Sequence, residues 1–136
     1  MDYPVIAKPD ISQLKAHPNL DDYAGARATF QWDSIREELD GLPGGGLNLA
    51  YEAVDRHLKT ARRTKTAMIW EGKNGEEERY TFEQMAGQSN RFANVLAGLG
   101  IQKGDRVFIF AERFPELYFA VFGTLKRGAV IGPLFS

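Results

Sequence analysis

Residues 106–135 read RVFIFAERFPELYFAVFGTLKRGAVIGPLF, and this stretch decides the fold class. Its opening, Arg106 to Ala111, is apolar on both faces, the pattern of a central strand covered on each side. Pro115 suits the first turn of a helix, and Glu116 suits its positive end. The helix predicted from there to about Arg127 is apolar nearly all round and should be buried. Lys126 and Arg127 complement its negative end, and Gly128 caps it. Ala129 to Phe135 is the next strand. Strand, helix, strand at this spacing predicts a crossover unit of a parallel sheet.

Upstream, the same logic continues. Asn48 is an N-cap for a helix through about Lys59, with Leu49, Ala53, Val54 and Leu58 at helical spacing. Ala67 to Glu71 reads as a strand, Gly72 to Gly75 as a turn, and Glu78 to Thr81 as the second strand of a hairpin. Thr81 and Gln84 have the spacing of a capping box. The helix they open places Met85, Ser89, Phe92, Leu96 and Leu99 on one face and stops at Gly100. Hairpin, helix, strand, helix, strand is the order of an α/β fold with parallel strands and crossover helices.

Residues 1–48 differ in character. They carry 4 basic and 8 acidic side chains, whereas residues 49–136 carry 13 basic and 10 acidic ones. Turn signals recur at Tyr3-Pro4, Lys8-Pro9, His17-Pro18 and Leu42 to Gly46. Trp32 to Leu39 has the pattern of a short helix. Phe30, Trp32, Ile35 and Leu39 supply enough apolar surface to dock but too little to fold alone. Residues 1–48 are therefore expected to form an arm packed on the outside of the body that begins at Leu49. The core strand ending at Phe135, with only Ser136 after it, raises the expectation that the chain is the N-terminal part of something longer.

Composition narrows the function classes. Hydrophobic residues make up 43% and charged residues 26% of the 136, which fits a globular chain and not a disordered one. The net charge is −1, so nothing electrostatic favours nucleic acid or an anionic membrane as partner. With no cysteine there is no disulfide, thiolate nucleophile or cysteine-bound zinc. His17 and His57 are too far apart in sequence to make a metal site by themselves. No apolar run reaches the roughly 20 residues of a membrane span, and no signal pattern opens the chain. A cytoplasmic protein is the expectation.

Candidate chemistry is sparse. Gly98, Gly100 and Gly104 follow a helix and precede a strand, the reverse of a dinucleotide-binding turn, so a helix stop and tight turn is the favoured reading. Gly44 to Gly46 could cradle a phosphate through free N–H groups, but no strand precedes them and no Lys-Ser or Lys-Thr follows, which favours a linker. Asp55, Arg56 and His57 are neighbours on a helix and point in different directions, so they do not form a catalytic pair. Glu76 to Glu78 read as a solvated hairpin edge, and Arg62, Arg63 and Lys65 as a solvated loop able to touch phosphate. The strand ends have more warrant, because open α/β sheets bind ligands beyond the carboxyl ends of their strands. Here those ends are Ala111 to Phe114 and Phe135-Ser136. Arg113 could meet a phosphate and Phe135 could stack on a base, against a surface ion pair for Glu112 and Arg113 and core packing for Phe135.

Three ordered stretches carry a resemblance: NLAYEAVDRHL at 48–58, TAMIWEGKNGEEERYTFEQMAGQSNRFANVLAGLGIQKGDRVFIF at 66–110, and PELYFAVFGTLKRGAVIGPLF at 115–135. From Asn48 to Ser136 the chain resembles the N-terminal region of adenylate-forming acyl-CoA synthetases, and most of all the acetate–CoA ligase (acetyl-CoA synthetase) group. FQWDSI at 30–35 is similar to the leader of that group. The resemblance implies that 49–136 is the first, incomplete part of the AMP-binding domain, the N-terminal portion of the large domain of these enzymes. It implies a ligase in which acid and ATP give an acyl-adenylate and pyrophosphate, and CoA then displaces AMP. Acetate, ATP, CoA and Mg2+ are the substrates and cofactors it implies for the full-length enzyme, with none expected on this chain. The family's phosphate loop, its tyrosine- and glutamate-containing motif, its ribose-binding aspartate and its C-terminal lysine match nothing in this sequence. No catalytic residue and no metal ligand are therefore expected in this chain, which should be inactive by itself. Phe135 alone aligns with a ligand position, the aromatic beside the CoA adenine. A synthetase for a longer or branched acid, and a non-catalytic interaction module, are the alternatives.

Overall fold

The computed structural model describes residues 4, 5, 7, 9–16 and 18–134. His17, Phe135 and Ser136 lie outside the described residues. The chain forms two units, residues 1–38 and 39–136.

The first unit holds a short 3-10 turn, Ile11–Gln13, and two helices, α1 (Tyr23–Thr29) and α2 (Trp32–Glu37). The sequence reading anticipates α2 and misses α1, whose Gly25 and Thr29 are poor helix formers. A cap compensates: the Asp22 carboxylate accepts the Gly25 N–H at 2.8 Å. Phe30 and Trp32 meet edge to face with ring centroids 5.0 Å apart. Neither helix buries a residue.

The second unit begins its regular structure at Asn48. Its side-chain oxygen accepts the N–H of Ala50 at 3.0 Å and of Tyr51 at 3.2 Å, starting α3 (Leu49–Ala53). The expected helix to Lys59 is not continuous. It breaks at Val54, whose backbone sits at φ −126°, and tightens into a 3-10 turn over Asp55–Lys59. The same turn leaves Val54 buried and brings Leu58 onto the core.

Strands β1 (Thr66–Glu71) and β2 (Glu77–Thr81) pair antiparallel, with Trp70 opposite Glu78 and Met68 opposite Tyr80. Gly75, at φ +88°, makes the turn possible. The capping box forms as expected, with Gln84 N–H on Thr81 Oγ1 at 3.2 Å and Thr81 N–H on Gln84 Oε1 at 2.8 Å. It opens α4 (Phe82–Gly98), which ends where Gly100 takes φ +82° and the Ile101 N–H reaches back to Leu96 O at 3.0 Å. Gly98, Gly100 and Gly104 are therefore a helix stop and turn. Met85, Ser89 and Leu96 face the interior, while Leu99, past the last helical residue, is 73% exposed.

β3 (Arg106–Phe110) and β4 (Val130–Leu134) pair in parallel around α5 (Pro115–Lys126), with Phe108 opposite Gly132 and Phe110 opposite Leu134. The fold is the α/β arrangement read from the sequence, with hairpin and parallel pair as separate two-stranded sheets. A second expectation changes. β3 is not covered on both faces: Val107 and Ile109 are half-buried, whereas Phe108 and Phe110 are 66% and 71% exposed. The helix between the two strands shields one side of the pair only.

Helices α4 and α5 pack closely. A Cβ on Gly123 would stand 2.7 Å from the Ser89 carbonyl oxygen and 2.8 Å from Phe92 Cβ, so only glycine fits. Val54, Met85, Ala86 and Phe119 form the core, and the Tyr80 ring meets Phe119 edge to face at 5.1 Å. The buried hydroxyls of Ser89 and Thr124 are satisfied within their own helices, donating to Met85 O at 2.6 Å and Ala120 O at 2.8 Å. At the far end of α5, Lys126 does more than face the negative helix terminus. Its ammonium, on a side chain 9% exposed, lies 2.7 Å from Asp55 Oδ1 and 2.7 Å from Asn90 Oδ1. Arg127 Nε donates to Ile101 O at 2.7 Å, and Asn48 Nδ2 donates to Leu125 O at 2.7 Å.

Candidate functional site

The carboxyl end of β3 runs directly into α5. Ala111 to Phe114 make the connection, and α5 starts at Pro115 with no side-chain cap. The Trp70 indole N–H donates to the Arg113 carbonyl oxygen at 2.7 Å, tying the hairpin to this corner. Beside that bond lies an open cleft of about 580 Å³, whose walls include Met68, Trp70, Glu71, Arg113, Tyr118 and Phe122. On the other side of the corner a groove of about 410 Å³, lined by Phe92, Val95, Ile109, Phe114 and Leu117 among others, is almost wholly apolar.

Glu112 and Arg113, the sequence candidates at this strand end, are exposed. Arg113 faces the first cleft together with one carboxylate, Glu71, and two aromatics with polar tips, Trp70 and Tyr118. Aromatic faces beside one guanidinium and one carboxylate suit flat or charged groups. The cleft offers no nucleophile with an adjacent base, and among the described residues no three His, Cys, Asp or Glu side chains gather to hold a metal ion. Phe135, the candidate at the end of β4, lies outside the described residues.

The other sequence candidates resolve into structural roles. Asp55 turns to Lys126, Arg56 pairs with Glu52 at 2.7 Å and with Asp40 at 3.5 Å, and the His57 ring packs edge to face on Phe82 at 4.8 Å. Burial, helped by the Arg62 and Arg56 guanidinium groups, holds His57 below its ordinary value despite the pull of Asp40 and Glu52. Glu52 is itself lowered: burial works against its charge, but the Gly41 N–H, the Arg56 guanidinium and the Asp40 N–H outweigh it. The Gly45 N–H donates to Leu42 O at 2.9 Å, so Gly44 to Gly46 form a closed turn. On the hairpin edge, Glu76 accepts from Asn74, Glu77 pairs with Arg79, and Glu78 accepts the Tyr80 hydroxyl. That last bond, burial and the charge of Glu78 push Tyr80 up to about 12. Trp70 and Tyr118 escaped the sequence reading, because an aromatic in a strand or helix signals core as readily as cleft.

The sequence profile of the AMP-binding enzyme family matches residues 54–136. This chain belongs to the AMP-binding enzyme family. It is 44% identical over 130 residues to the acetyl-coenzyme A synthetase of Bacillus subtilis, covering 90% of this chain and 23% of that protein. It is 42% identical over 93 residues to the 3-hydroxypropionyl-coenzyme A synthetase of Metallosphaera sedula, covering 68% of this chain and 14% of that protein. The crystal structure of Brucella canis acyl-CoA synthetase superposes with a TM-score of 0.74 at 32% identity, covering 85% of this chain and 21% of that one. The chain therefore spans less than a quarter of the length of the relatives it matches. Among the described residues no helix is long and apolar enough to cross a membrane.

Proposed function

We propose that this chain is the N-terminal portion of an AMP-forming acetate–CoA ligase acting in the cytoplasm. In that enzyme acetate and ATP would give acetyl-adenylate and pyrophosphate, and CoA would then displace AMP. The 44% identity to an acetyl-coenzyme A synthetase over nine tenths of the chain carries the reading. The chain's own part is to build the first crossover unit of the large domain, and alone it would be inactive. Inactivity is supported by length, since the chain covers 23% of that synthetase. Neither nucleic acid nor membrane enters the proposal.

The test has two arms. The purified 136-residue chain should show no acetate-dependent ATP–pyrophosphate exchange above background. Substituted for the matching segment of the Bacillus subtilis synthetase, it should support acetyl-CoA formation. A soluble, folded chimera that forms none would sink the proposal. Phe135 is proposed to stack on the CoA adenine in the full-length enzyme. Phe135→Ala should raise the CoA KM about tenfold and leave the exchange reaction unchanged. The likeness to the 3-hydroxypropionyl-coenzyme A synthetase favours a second reading, a slightly longer acid as substrate. The ratio of kcat/KM for acetate and 3-hydroxypropionate in the full-length enzyme decides between them.

A further inference from the structure

Positive charge converges at one place away from the strand ends. The segment after the 3-10 turn is held by overlapping turns, with Arg63 N–H on Thr60 O at 3.1 Å and Lys65 N–H on Arg62 O at 2.9 Å. Its far side is stitched to the start of α4. Phe82 N–H donates to Lys65 O at 3.1 Å, Glu83 N–H donates to Arg63 O at 3.1 Å, and the Arg63 guanidinium pairs with the Glu83 carboxylate. Thr60 adds rigidity, its hydroxyl donating to His57 O at 2.9 Å and accepting the Arg62 N–H at 3.1 Å. Arg62 and Lys65 thus leave from a pinned backbone. Both line a cleft of about 480 Å³ shared with Asp40, Arg56, His57 and Thr60.

The charges of this cleft do not cancel. Arg56 is matched by Glu52 and Asp40. Among the described residues, neither Arg62 nor Lys65 takes part in an ion pair. Seen from the His57 ring, repulsion by Arg62 and Arg56 outweighs attraction by Asp40 and Glu52. The fold therefore brings two exposed cationic side chains and an imidazole to one open cleft, where the carboxylate present, Asp40, already faces Arg56. Guanidinium and ammonium groups on a fixed backbone suit a tetrahedral oxyanion, which accepts several charge-assisted hydrogen bonds at once.

We propose that the cleft lined by Arg56, His57, Arg62 and Lys65 is a binding site for a phosphate group. The shared chemistry is the phosphate dianion, whether free or carried on a nucleotide. This site is separate from the β3 corner and does not depend on the acetate–CoA ligase reading. A bound dianion also favours the imidazolium, so phosphate binding and proton uptake at His57 are coupled.

The experiment follows the His57 ring resonances of the 136-residue chain by NMR at low ionic strength, between about pH 5 and 8 where imidazole titrates. Inorganic phosphate should bind saturably and move the His57 midpoint upward. Each of Arg62→Ala and Lys65→Ala should weaken phosphate binding about tenfold, the loss of one charge-assisted bond. Arg62→Lys with Lys65→Arg should restore most of it, and Arg79→Ala, on the hairpin, should leave it unchanged. AMP binding with the same dependence, while adenosine fails to bind, would extend the site to nucleotide phosphates. Phosphate binding without AMP binding would restrict it to the free anion. A His57 midpoint unmoved by phosphate overturns the proposal. So does equal weakening by Arg79→Ala, or adenosine binding as well as AMP.

Discussion

Lys126 Nζ sits 2.7 Å from Asp55 Oδ1, so the cation on the last turn of α5 is neutralised by a carboxylate 71 residues earlier in the chain. The ammonium also reaches Asn90 on α4, which makes one side chain the junction of three elements. Lys126→Met keeps the aliphatic stem and removes the charge. It leaves a largely buried carboxylate unpaired and should cost about 3 kcal/mol. Urea unfolding followed by tryptophan fluorescence measures this. Adding Asp55→Leu should recover part of the loss, and no recovery would mean that Asp55 is not the partner that matters.

Gly123 and Gly87 both sit inside helices, yet alanine should act oppositely at the two. At Gly123 the new methyl meets the Ser89 carbonyl at 2.7 Å and Phe92 Cβ at 2.8 Å, atoms that cannot rotate away. Overpacking of about 1–3 kcal/mol should exceed the helix-propensity gain of up to about 1 kcal/mol, so Gly123→Ala destabilises. Gly87 has nothing within 4 Å of the added atom, so Gly87→Ala should stabilise by up to about 1 kcal/mol. Thermal melts of the two variants in one buffer show whether the signs differ.

His57 gives a pH dependence of known sign. Its folded-state value lies below the ordinary 6.5, so above that pH both states are neutral and the fold has its full stability. As the pH falls below 6.5 the unfolded chain takes the proton first, and stability declines until the folded-state value is passed. Denaturation curves for the parent and His57→Gln on either side of this window should converge at the acid end. A parent that gains stability there relative to His57→Gln would reverse the sign.

The chain's local grammar was largely legible without coordinates. The capping box at Thr81 and Gln84, the stop at Gly100 and the proline that opens α5 each depend on residues within one helical turn, and each stands where the pattern put it. What failed depends on distance in sequence. Lys126 looked like a charge for a helix terminus, because nothing near it names Asp55 or Asn90 as partners. Phe108 and Phe110 looked buried, because alternation reports how apolar a face is and not whether anything covers it. The candidate site was legible only as a place, the strand ends. Trp70, whose indole fixes the Arg113 corner, comes from a hairpin 43 residues upstream.

Asn48 reaches far along the chain, since the side chain that starts α3 also donates to Leu125 O, 77 residues later. That makes it a clock as much as a cap. The oxygen half of the side chain acts as soon as the local helix turns, whereas the nitrogen half must wait for α4, β3 and α5 to assemble. Contacts of such separation tend to form late on the folding path. Asn48→Asp keeps the acceptor for the Ala50 and Tyr51 N–H groups and discards only the late bond. It should leave the refolding rate nearly unchanged and speed unfolding, whereas Asn48→Ala, which also loses the early cap, should slow refolding as well. The amide thus divides its two ends between the two sides of the folding barrier, the oxygen governing how quickly the fold is reached and the nitrogen how long it lasts.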